Sequence, residues 1–256
     1  MPQTQILLLA SLTLDALLIA GIAFSYWRRR LRRMDRLPIT KVAAEYLDPI
    51  FQTGELGPSR TTEIRFIPEY RVWGGISDFE TWILCNLTRD AARIFEFGTC
   101  TGKTTWLLAA NAPRATVVTL TLRPEDVATM QNAEGDEQRA IETATVESKF
   151  RSFYYQGTPE ESRIIQIFGD SKKFDETPYL ELCDLVFVDG SHARSYVESD
   201  SKKALRMVKP GGVVVWHDYR GPKREPGVFQ ALNALAKEIP LVRVVGTCFV
   251  FHRKAY

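Results

Sequence analysis

The chain has 256 residues, of which 45% are hydrophobic and 25% are charged, and its formal net charge is +2. Such a composition supports a globular domain with a sizeable core and excludes a chain that is disordered throughout. Six arginines and two aspartates fall within residues 1–36, so the rest of the chain is nearly neutral. A nearly neutral body lacks the basic patch that nucleic-acid binding requires, and we predict no nucleic-acid partner. Four cysteines without a CxxC pair predict reduced thiols rather than a zinc site or a disulfide framework.

The amino terminus carries an apolar stretch, residues 6–27, in which Asp15 is the one charged residue. A helix of this length would span about 33 Å at roughly 1.5 Å per residue, enough for the core of a bilayer. Arginines follow at once, and positive charge stays cytoplasmic, so we predict a single-pass transmembrane helix, within an anchor of residues 1–36, whose body faces the cytoplasm. A central carboxylate costs on the order of 2.5–3.5 kcal/mol in a membrane, which leaves an interfacial amphipathic helix as the alternative. The arginines are Arg28, Arg29, Arg30, Arg32, Arg33 and Arg36.

Two parts are predicted beyond the anchor. Residues 37–75 are rich in proline and glycine, which predicts a linker and arm with one short helix near residues 42–51. Residues 76–256 form the main domain, in which a helix capped by Ser77 or Asp78 runs to about residue 87. The predicted strands cover residues 93–97, 116–122, 164–168, 185–188, a run that ends at His217, 242–245 and 248–252. The predicted helices between them cover residues 103–111, 125–131, 137–153, 195–207 and 228–238.

This alternation of strands and helices determines the predicted architecture. It is typical of an α/β fold with a doubly wound, mostly parallel sheet, here of seven strands. The last two strands are joined by Gly246 and Thr247, which predicts a C-terminal antiparallel hairpin. Open sheets of this kind bind ligands at the carboxyl ends of their strands. Polar residues at those ends are therefore the candidates for a binding site.

A glycine-rich turn follows the strand predicted at residues 93–97. The chain reads Glu96-Phe-Gly-Thr-Cys-Thr-Gly-Lys-Thr there, directly before a predicted helix. A strand, a glycine turn and a helix make a cradle for an anion or a cofactor, because the helix amides point at the ligand. A phosphate-binding P-loop needs four residues between its glycines, whereas three separate Gly98 from Gly102. The acid Glu96 would also repel a triphosphate, and it favours a ligand with a cationic amino group.

A second group of polar residues follows two later strands. Asp189 and His192 come after the run at 185–188, and His217 and Asp218 end the next strand along the chain. Because parallel strands end at one edge of the sheet, these four side chains can converge. Carboxylates and imidazoles are the usual general bases and also ligate divalent metals. The pattern therefore predicts a chemical site beside the glycine loop.

Together these segments resemble a known family. The pattern Glu-x-Gly-Thr-x-x-Gly-x-Thr at residues 96–104 resembles motif I of class I S-adenosylmethionine-dependent methyltransferases, especially the small-molecule O-methyltransferases. Gly169-Asp-Ser resembles the segment with which that family contacts adenine. The segments at 189–192 and 210–219 resemble metal-dependent sugar O-methyltransferases of the macrolide and aminocoumarin type. The resemblance covers about residues 76–254 and implies a Rossmann-like fold.

The resemblance implies a function as well. It implies transfer of a methyl group from S-adenosylmethionine to a hydroxyl of a small molecule, a sugar or glycoside. His192 would be the general base with Asp189 as the second catalytic residue, and Asp189, His217 and Asp218 would hold a divalent metal, Mg²⁺ first. Relatives often carry an acid where His217 stands, so it is either a ligand that favours Mn²⁺ or Zn²⁺ or a residue that orients the ligands. The implied cofactor contacts are Glu96, Gly98, Thr99, Gly102, Thr104, Thr121, Asp170 and Ser171.

One position departs from the family pattern. Thr121 ends the second predicted strand, where relatives usually carry an acid that binds both ribose hydroxyls. Losing charge-assisted hydrogen bonds weakens binding by roughly 1–3 kcal/mol, unless Glu125 or Asp126 in the next turn compensates. Thr121 thus supports an alternative, a non-catalytic binding or scaffold protein of this fold at the membrane, and a P-loop-like NTPase is the third candidate. The sequence leaves the acceptor's identity open, and equally whether the chain forms a homo-oligomer.

Overall fold

The computed structural model describes residues 17–27, 39–71 and 73–256. The chain divides into two compact units, residues 1–38 and 39–256. Within the first unit, residues 17–27 form a helix whose side chains are all exposed. Over the described residues, no helix has the length and apolar character needed to cross a membrane. The predicted transmembrane helix is therefore not found there, and the remainder of the predicted anchor, with its arginine cluster, lies outside the described residues.

An eight-stranded sheet forms the centre of the second unit, with the strand order β1-β9-β10-β8-β7-β4-β5-β6. The prediction of seven strands was one short. The additional strand is β1, which pairs in parallel with β9 and comes from the segment predicted as linker. A separate two-stranded hairpin joins β2 to β3. The strands are β1 (Thr40–Val42), β2 (Thr53–Gly54), β3 (Gly57–Pro58), β4 (Arg93–Phe97), β5 (Thr116–Thr121), β6 (Ile164–Phe168), β7 (Cys183–Val188), β8 (Val208–Trp216), β9 (Val242–Val244) and β10 (Val250–Arg253).

The central strands of this sheet are parallel, as predicted. β4 pairs in parallel with β5 and with β7, and the parallel pairing continues to β6 on one side and β8 on the other. β10 is antiparallel to both β8 and β9, which agrees with the predicted C-terminal hairpin. The carboxyl ends of β4, β5, β6, β7 and β8 consequently lie along one edge of the sheet.

Helices pack on both faces of the sheet. Neighbouring residues of β4 show why both faces are covered: Ile94 and Phe95 are both fully buried but belong to different apolar clusters. Side chains alternate along a strand, so a strand that is apolar at every position needs helices on both sides. The helices are α1 (Asp78–Thr88), α2 (Lys103–Asn111), α3 (Gln138–Glu147), α4 (Arg194–Met207) and α5 (Pro226–Leu235).

Several predicted helices have different bounds or a different type in the structure, among them the helix expected over 125–131, which is a 3₁₀ helix at Pro124–Thr129. The short helix expected near residues 42–51 is a pair of 3₁₀ turns, Ala44–Tyr46 and Pro49–Phe51. The helix expected over 137–153 ends at Glu147. After it the chain turns back to the glycine loop, where the Tyr154 amide donates a hydrogen bond of 2.8 Å to the Thr101 carbonyl. Contact with the loop thus replaces the last helical turns.

Candidate active site

The glycine loop between β4 and α2 fits tightly against two other segments. Gly98 has a φ of +101°, and a Cβ at this position would lie 2.0 Å from the carbonyl oxygen of Asp189. Gly102 has a φ of +73°, and a Cβ there would lie 2.9 Å from Cβ of Phe153. Both the backbone angles and the close contacts therefore require glycine at these positions. The loop is held between the end of β7 and the segment that follows α3.

Glu96 lies below this loop rather than in a cleft. Its side chain is fully buried, and Oε2 accepts hydrogen bonds from the hydroxyls of Thr105 and Thr119. Burial raises the pKa of the Glu96 carboxyl to about 8. The hydroxyl of Thr119 lies 2.7 Å from that of Thr99 in the loop. Glu96 is thereby connected to the loop from the core side, and its predicted contact with a cofactor stays a prediction.

A first cleft opens at the carboxyl ends of β4, β5, β6 and β7. It is lined by several of the predicted cofactor residues, which the fold brings together from four separate segments. Further polar residues that sequence reasoning missed also line it, among them Glu147, Tyr196 and Asp200. Burial raises the pKa of the Asp200 carboxyl to about 7. The predicted residues in this cleft are Gly98, Thr121, Asp170, Ser171 and Asp189.

The two acids that follow β5 lie away from the first cleft. Neither Glu125 nor Asp126 is among the residues that line the cleft. Glu125 instead forms an ion pair of 3.1 Å with Arg151, and both side chains are largely exposed. Asp170 is an acid that does line this cleft, and its Oδ2 accepts a hydrogen bond of 3.1 Å from the Tyr196 hydroxyl.

A second cleft adjoins the first at the amino terminus of α2. It is lined by Thr99 and Thr104, and by Trp73, Gly74 and Gly75 of the arm. The chemical residues predicted after β7 and at the end of β8 line it as well. Asp189, His192, His217 and Asp218 thus converge, as their positions at neighbouring strand ends predict. Gly102 is absent from the lining of either cleft and acts through the geometry of the loop.

Each histidine of this group lies between two carboxylates. His192 Nε2 is 2.8 Å from Asp218 Oδ2, and its Nδ1 is 2.9 Å from Glu225 Oε2. His217 Nδ1 is 2.9 Å from Asp189 Oδ1, and its Nε2 is 3.6 Å from Glu80 Oε2. Each ring therefore has an acid facing each nitrogen.

These acids control the protonation of the two rings. Burial alone would lower the pKa of His192, but its hydrogen bonds to Asp218 and Glu225 outweigh burial and hold the pKa well above its usual range. Burial is similarly outweighed at His217, chiefly by the charges of Asp189 and Asp218, so that its pKa is also raised. Both rings carry two protons near neutral pH, and His192 has no nitrogen free to accept another.

Sequence reasoning missed two of the acids for different reasons. Glu80 sits three residues after Ser77 and bonds to its amide and hydroxyl, so its local signal is that of a helix cap. Glu225 precedes α5 in a loop without any motif. Only the tertiary fold brings these two residues to the histidines.

The three predicted metal ligands come together, but their surroundings do not fit a divalent cation. One ligand atom from each of Asp189, His217 and Asp218 can be chosen so that all lie within 4.8 Å of one another. However, Arg220 Nη2 lies 2.9 Å from Asp218 Oδ1, and His217 Nδ1 already binds Asp189. A cation would have to displace a guanidinium and an imidazole that already neutralise these acids. In this arrangement His217 contacts Asp189 through Nδ1 and faces Glu80 through Nε2.

Comparisons with known proteins bear on this geometry. Residues 95–219 match a family model described as a methyltransferase domain. No curated protein matches the sequence at a significant level. Among solved structures, the chain is similar to the O-methyltransferase NovP, with 13% identity, a TM-score of 0.53, and coverage of 70% of this chain and 81% of NovP. It is also similar to the O-methyltransferase TomG from Streptomyces achromogenes in complex with SAM, with 19% identity, a TM-score of 0.46, and coverage of 71% and 82%.

Proposed function

We propose that this chain, whose residues 95–219 match the model of a methyltransferase domain family, transfers a methyl group from S-adenosylmethionine to a hydroxyl of a small molecule. The prediction of a class I methyltransferase enzyme is confirmed at the level of family and fold. That the methyl group is transferred to a hydroxyl is the part that we propose. The observation that carries it is the meeting of two clefts, because a cofactor in the first would place its methyl group beside the acids and histidines of the second.

The proposed cofactor position follows the predicted contacts. Its adenosine part lies in the first cleft near Thr121, Asp170 and Ser171. Its carboxylate lies over the amino terminus of α2, where helix amides and the hydroxyl of Thr104 favour an anion. Glu96 supports this position indirectly, because its partner Thr119 contacts Thr99 in the loop.

The proposed reaction is an in-line substitution. The acceptor oxygen attacks the methyl carbon, the carbon–sulfur bond breaks, and the bonding electrons remain on sulfur to give S-adenosylhomocysteine. The hydroxyl proton passes to a base on the protein, and the work of the site is positioning and proton transfer. His192, beside Asp189, is the base that the resemblance implies. His192 would serve only after its ring has released a proton and Asp218 or Glu225 has turned away, because both of its nitrogens face carboxylates and its pKa is raised.

A sugar or glycoside is the proposed acceptor. The second cleft offers several acids, together with Arg139 and Thr143, as hydrogen-bonding partners for a polyhydroxyl compound. Trp73 adds an aromatic ring at the edge of the cleft. Divalent-metal assistance stays a prediction, and the proposed reaction does not depend on it. Thr121 keeps the scaffold alternative open, because it leaves β5 without the acid that relatives use.

The membrane anchor is a separate proposal. It is supported by the apolar residues 6–27 and by the six arginines that follow them. Residues 37–75 would then connect the anchor to a methyltransferase domain of residues 76–256 on the cytoplasmic side.

A titration of the full-length chain tests the proposed function. S-adenosylmethionine, S-adenosylhomocysteine and ATP would each be added and their binding followed by calorimetry. We expect both adenosyl compounds to bind with micromolar affinity and ATP to bind at least about tenfold more weakly, because only three residues separate Gly98 from Gly102 and the loop is too short to wrap a triphosphate. Binding of ATP alone would contradict the proposal, whereas binding of none of the three would favour a scaffold.

A further inference from the structure

The two clefts share four lining residues, Gly98, Cys100, Glu147 and Asp189. Under the proposed function, the methyl group leaves the cofactor at this junction and enters the acceptor. A base must lie within hydrogen-bonding reach of the acceptor oxygen, so it belongs among the residues around this point. Of the four shared residues, Glu147 and Asp189 carry a carboxylate.

These two carboxylates differ in their partners. Asp189 Oδ1 is 2.9 Å from His217 Nδ1, in a buried ion pair. Glu147 is the last residue of α3, and its side chain has neither a hydrogen bond nor an ion pair within the described ranges 17–27, 39–71 and 73–256. Glu147 thus offers both oxygens to whatever occupies the junction.

The surroundings of Glu147 keep its carboxyl ready to exchange a proton. Burial is the largest influence and raises the pKa of Glu147, the charge of His192 lowers it, and the charges of the neighbouring acids raise it, with a net pKa of about 7. A base with a pKa near the working pH combines a useful ionised fraction with a useful proton affinity. The titratable or charged groups around it are Cys100, Arg139, Asp189, His192, Asp218 and Glu225.

We propose that Glu147 is the general base of the reaction and that the two histidines hold the surrounding acids in place. This inference rests on the proposed function. As the acceptor oxygen attacks the methyl carbon, its proton passes to a carboxylate oxygen of Glu147, which becomes neutral. The sulfur leaves as the thioether of S-adenosylhomocysteine, and the protonated Glu147 then releases its proton to solvent through the open second cleft.

A binding experiment tests the position of Glu147 without any acceptor. S-adenosylmethionine carries a positive sulfonium at the junction, and S-adenosylhomocysteine carries a neutral sulfur. The ratio of their affinities for the full-length chain should rise on the order of tenfold between about pH 6 and pH 8, as Glu147 ionises beside the sulfonium. The Glu147→Gln variant should show a constant ratio. Glu142→Gln, an exposed position on the same helix, should behave like the unaltered chain.

A turnover experiment tests the role as base. Labelled S-adenosylmethionine would be offered with catechol and methyl glycosides as hydroxyl probes. Glu147→Gln should lower kcat at least about 100-fold and remove the ascending limb of the pH–rate profile near pH 7, a larger effect than the roughly tenfold loss of S-adenosylmethionine affinity expected at about pH 8. Glu147→Asp, which retains a shorter carboxylate, should recover part of the rate.

The outcomes separate this inference from the proposed function. A chain that binds neither adenosyl compound refutes both. A chain that binds both compounds with an affinity ratio insensitive to pH, or unchanged by Glu147→Gln, refutes the position of Glu147 and leaves the proposed function intact. Turnover in Glu147→Gln within about threefold of the unaltered chain, combined with loss of turnover in His192→Ala, would return the role of base to His192.

Discussion

Arg220 occupies the point of the site where a metal ion would be expected. Its Nη2 lies 2.9 Å from Asp218 Oδ1, while the other oxygen of Asp218 contacts His192. A guanidinium is permanently charged and presents five donors, so it can neutralise an acid and still face the cleft. The positive charge that a divalent cation would bring to Asp218 is therefore already supplied here by a side chain.

Replacing Arg220 with alanine tests this view. The substitution frees Asp218 Oδ1, so the variant should bind Mn²⁺ about tenfold more tightly than the unaltered chain, which should bind it weakly. Electron paramagnetic resonance of free Mn²⁺ would measure both affinities. Arg224→Ala removes an exposed arginine from the same loop and should have no effect. Tight, stoichiometric Mn²⁺ binding by the unaltered chain would instead support the metal-dependent mechanism.

At the scale of elements, β4 and β5 are joined by a buried polar contact as well as by their backbones. Glu96 on β4 accepts hydrogen bonds from Thr119 on β5 and from Thr105 on α2. These hydrogen bonds favour the ionised carboxyl, but burial outweighs them and keeps it protonated up to about pH 8. The glycine loop is therefore supported from the core side by a hydrogen-bonded network in which the Glu96 carboxyl is neutral.

This network makes a prediction about stability. Between the ordinary pKa of 4.5 and the folded-state value of about 8, Glu96 is ionised in the unfolded chain and protonated in the folded one. Folding stability should fall by up to about 1.4 kcal/mol per pH unit across this window, and Glu96→Gln should remove that dependence. The free energy of unfolding would be measured in urea at about pH 5.5 and about pH 7.5. Between these two values it should fall by about 2 kcal/mol more in the unaltered chain than in Glu96→Gln. The exposed position Glu125→Gln is the control, and parallel curves for Glu96→Gln and the unaltered chain would refute the prediction.

The elements also show which features can be predicted from sequence. β4, β6 and α2 have the predicted bounds, because strong apolar patterns and a flanking glycine turn mark them locally. β1 escaped prediction because three residues carry no periodicity and the strand exists only through its pairing with β9. Glu147 and Glu225 were missed for a related reason: neither belongs to a motif, and packing alone places them beside the histidines.

At the scale of the whole molecule, the attachment to a membrane is the proposal that remains to be tested. We expect an acceptor site for glycosylation to be modified when it is placed before residue 6 and to stay unmodified when it is placed after residue 256, because the arginines should remain cytoplasmic. Replacing the six arginines with glutamine should weaken this preference. Extraction of the full-length chain by carbonate would instead indicate a helix that lies on the membrane.

Glu80 connects three parts of the fold through one carboxylate. It bonds to Ser77 at the start of α1, accepts a hydrogen bond from the Cys248 amide in the closing hairpin, and faces His217 in the site. Aspartate is one methylene shorter, and glutamine would place a donor against groups that themselves donate. A substitution of Glu80 therefore disturbs a helix, a hairpin and the reaction centre at once. Position 80 should accept substitutions during evolution more slowly than a residue that only caps a helix.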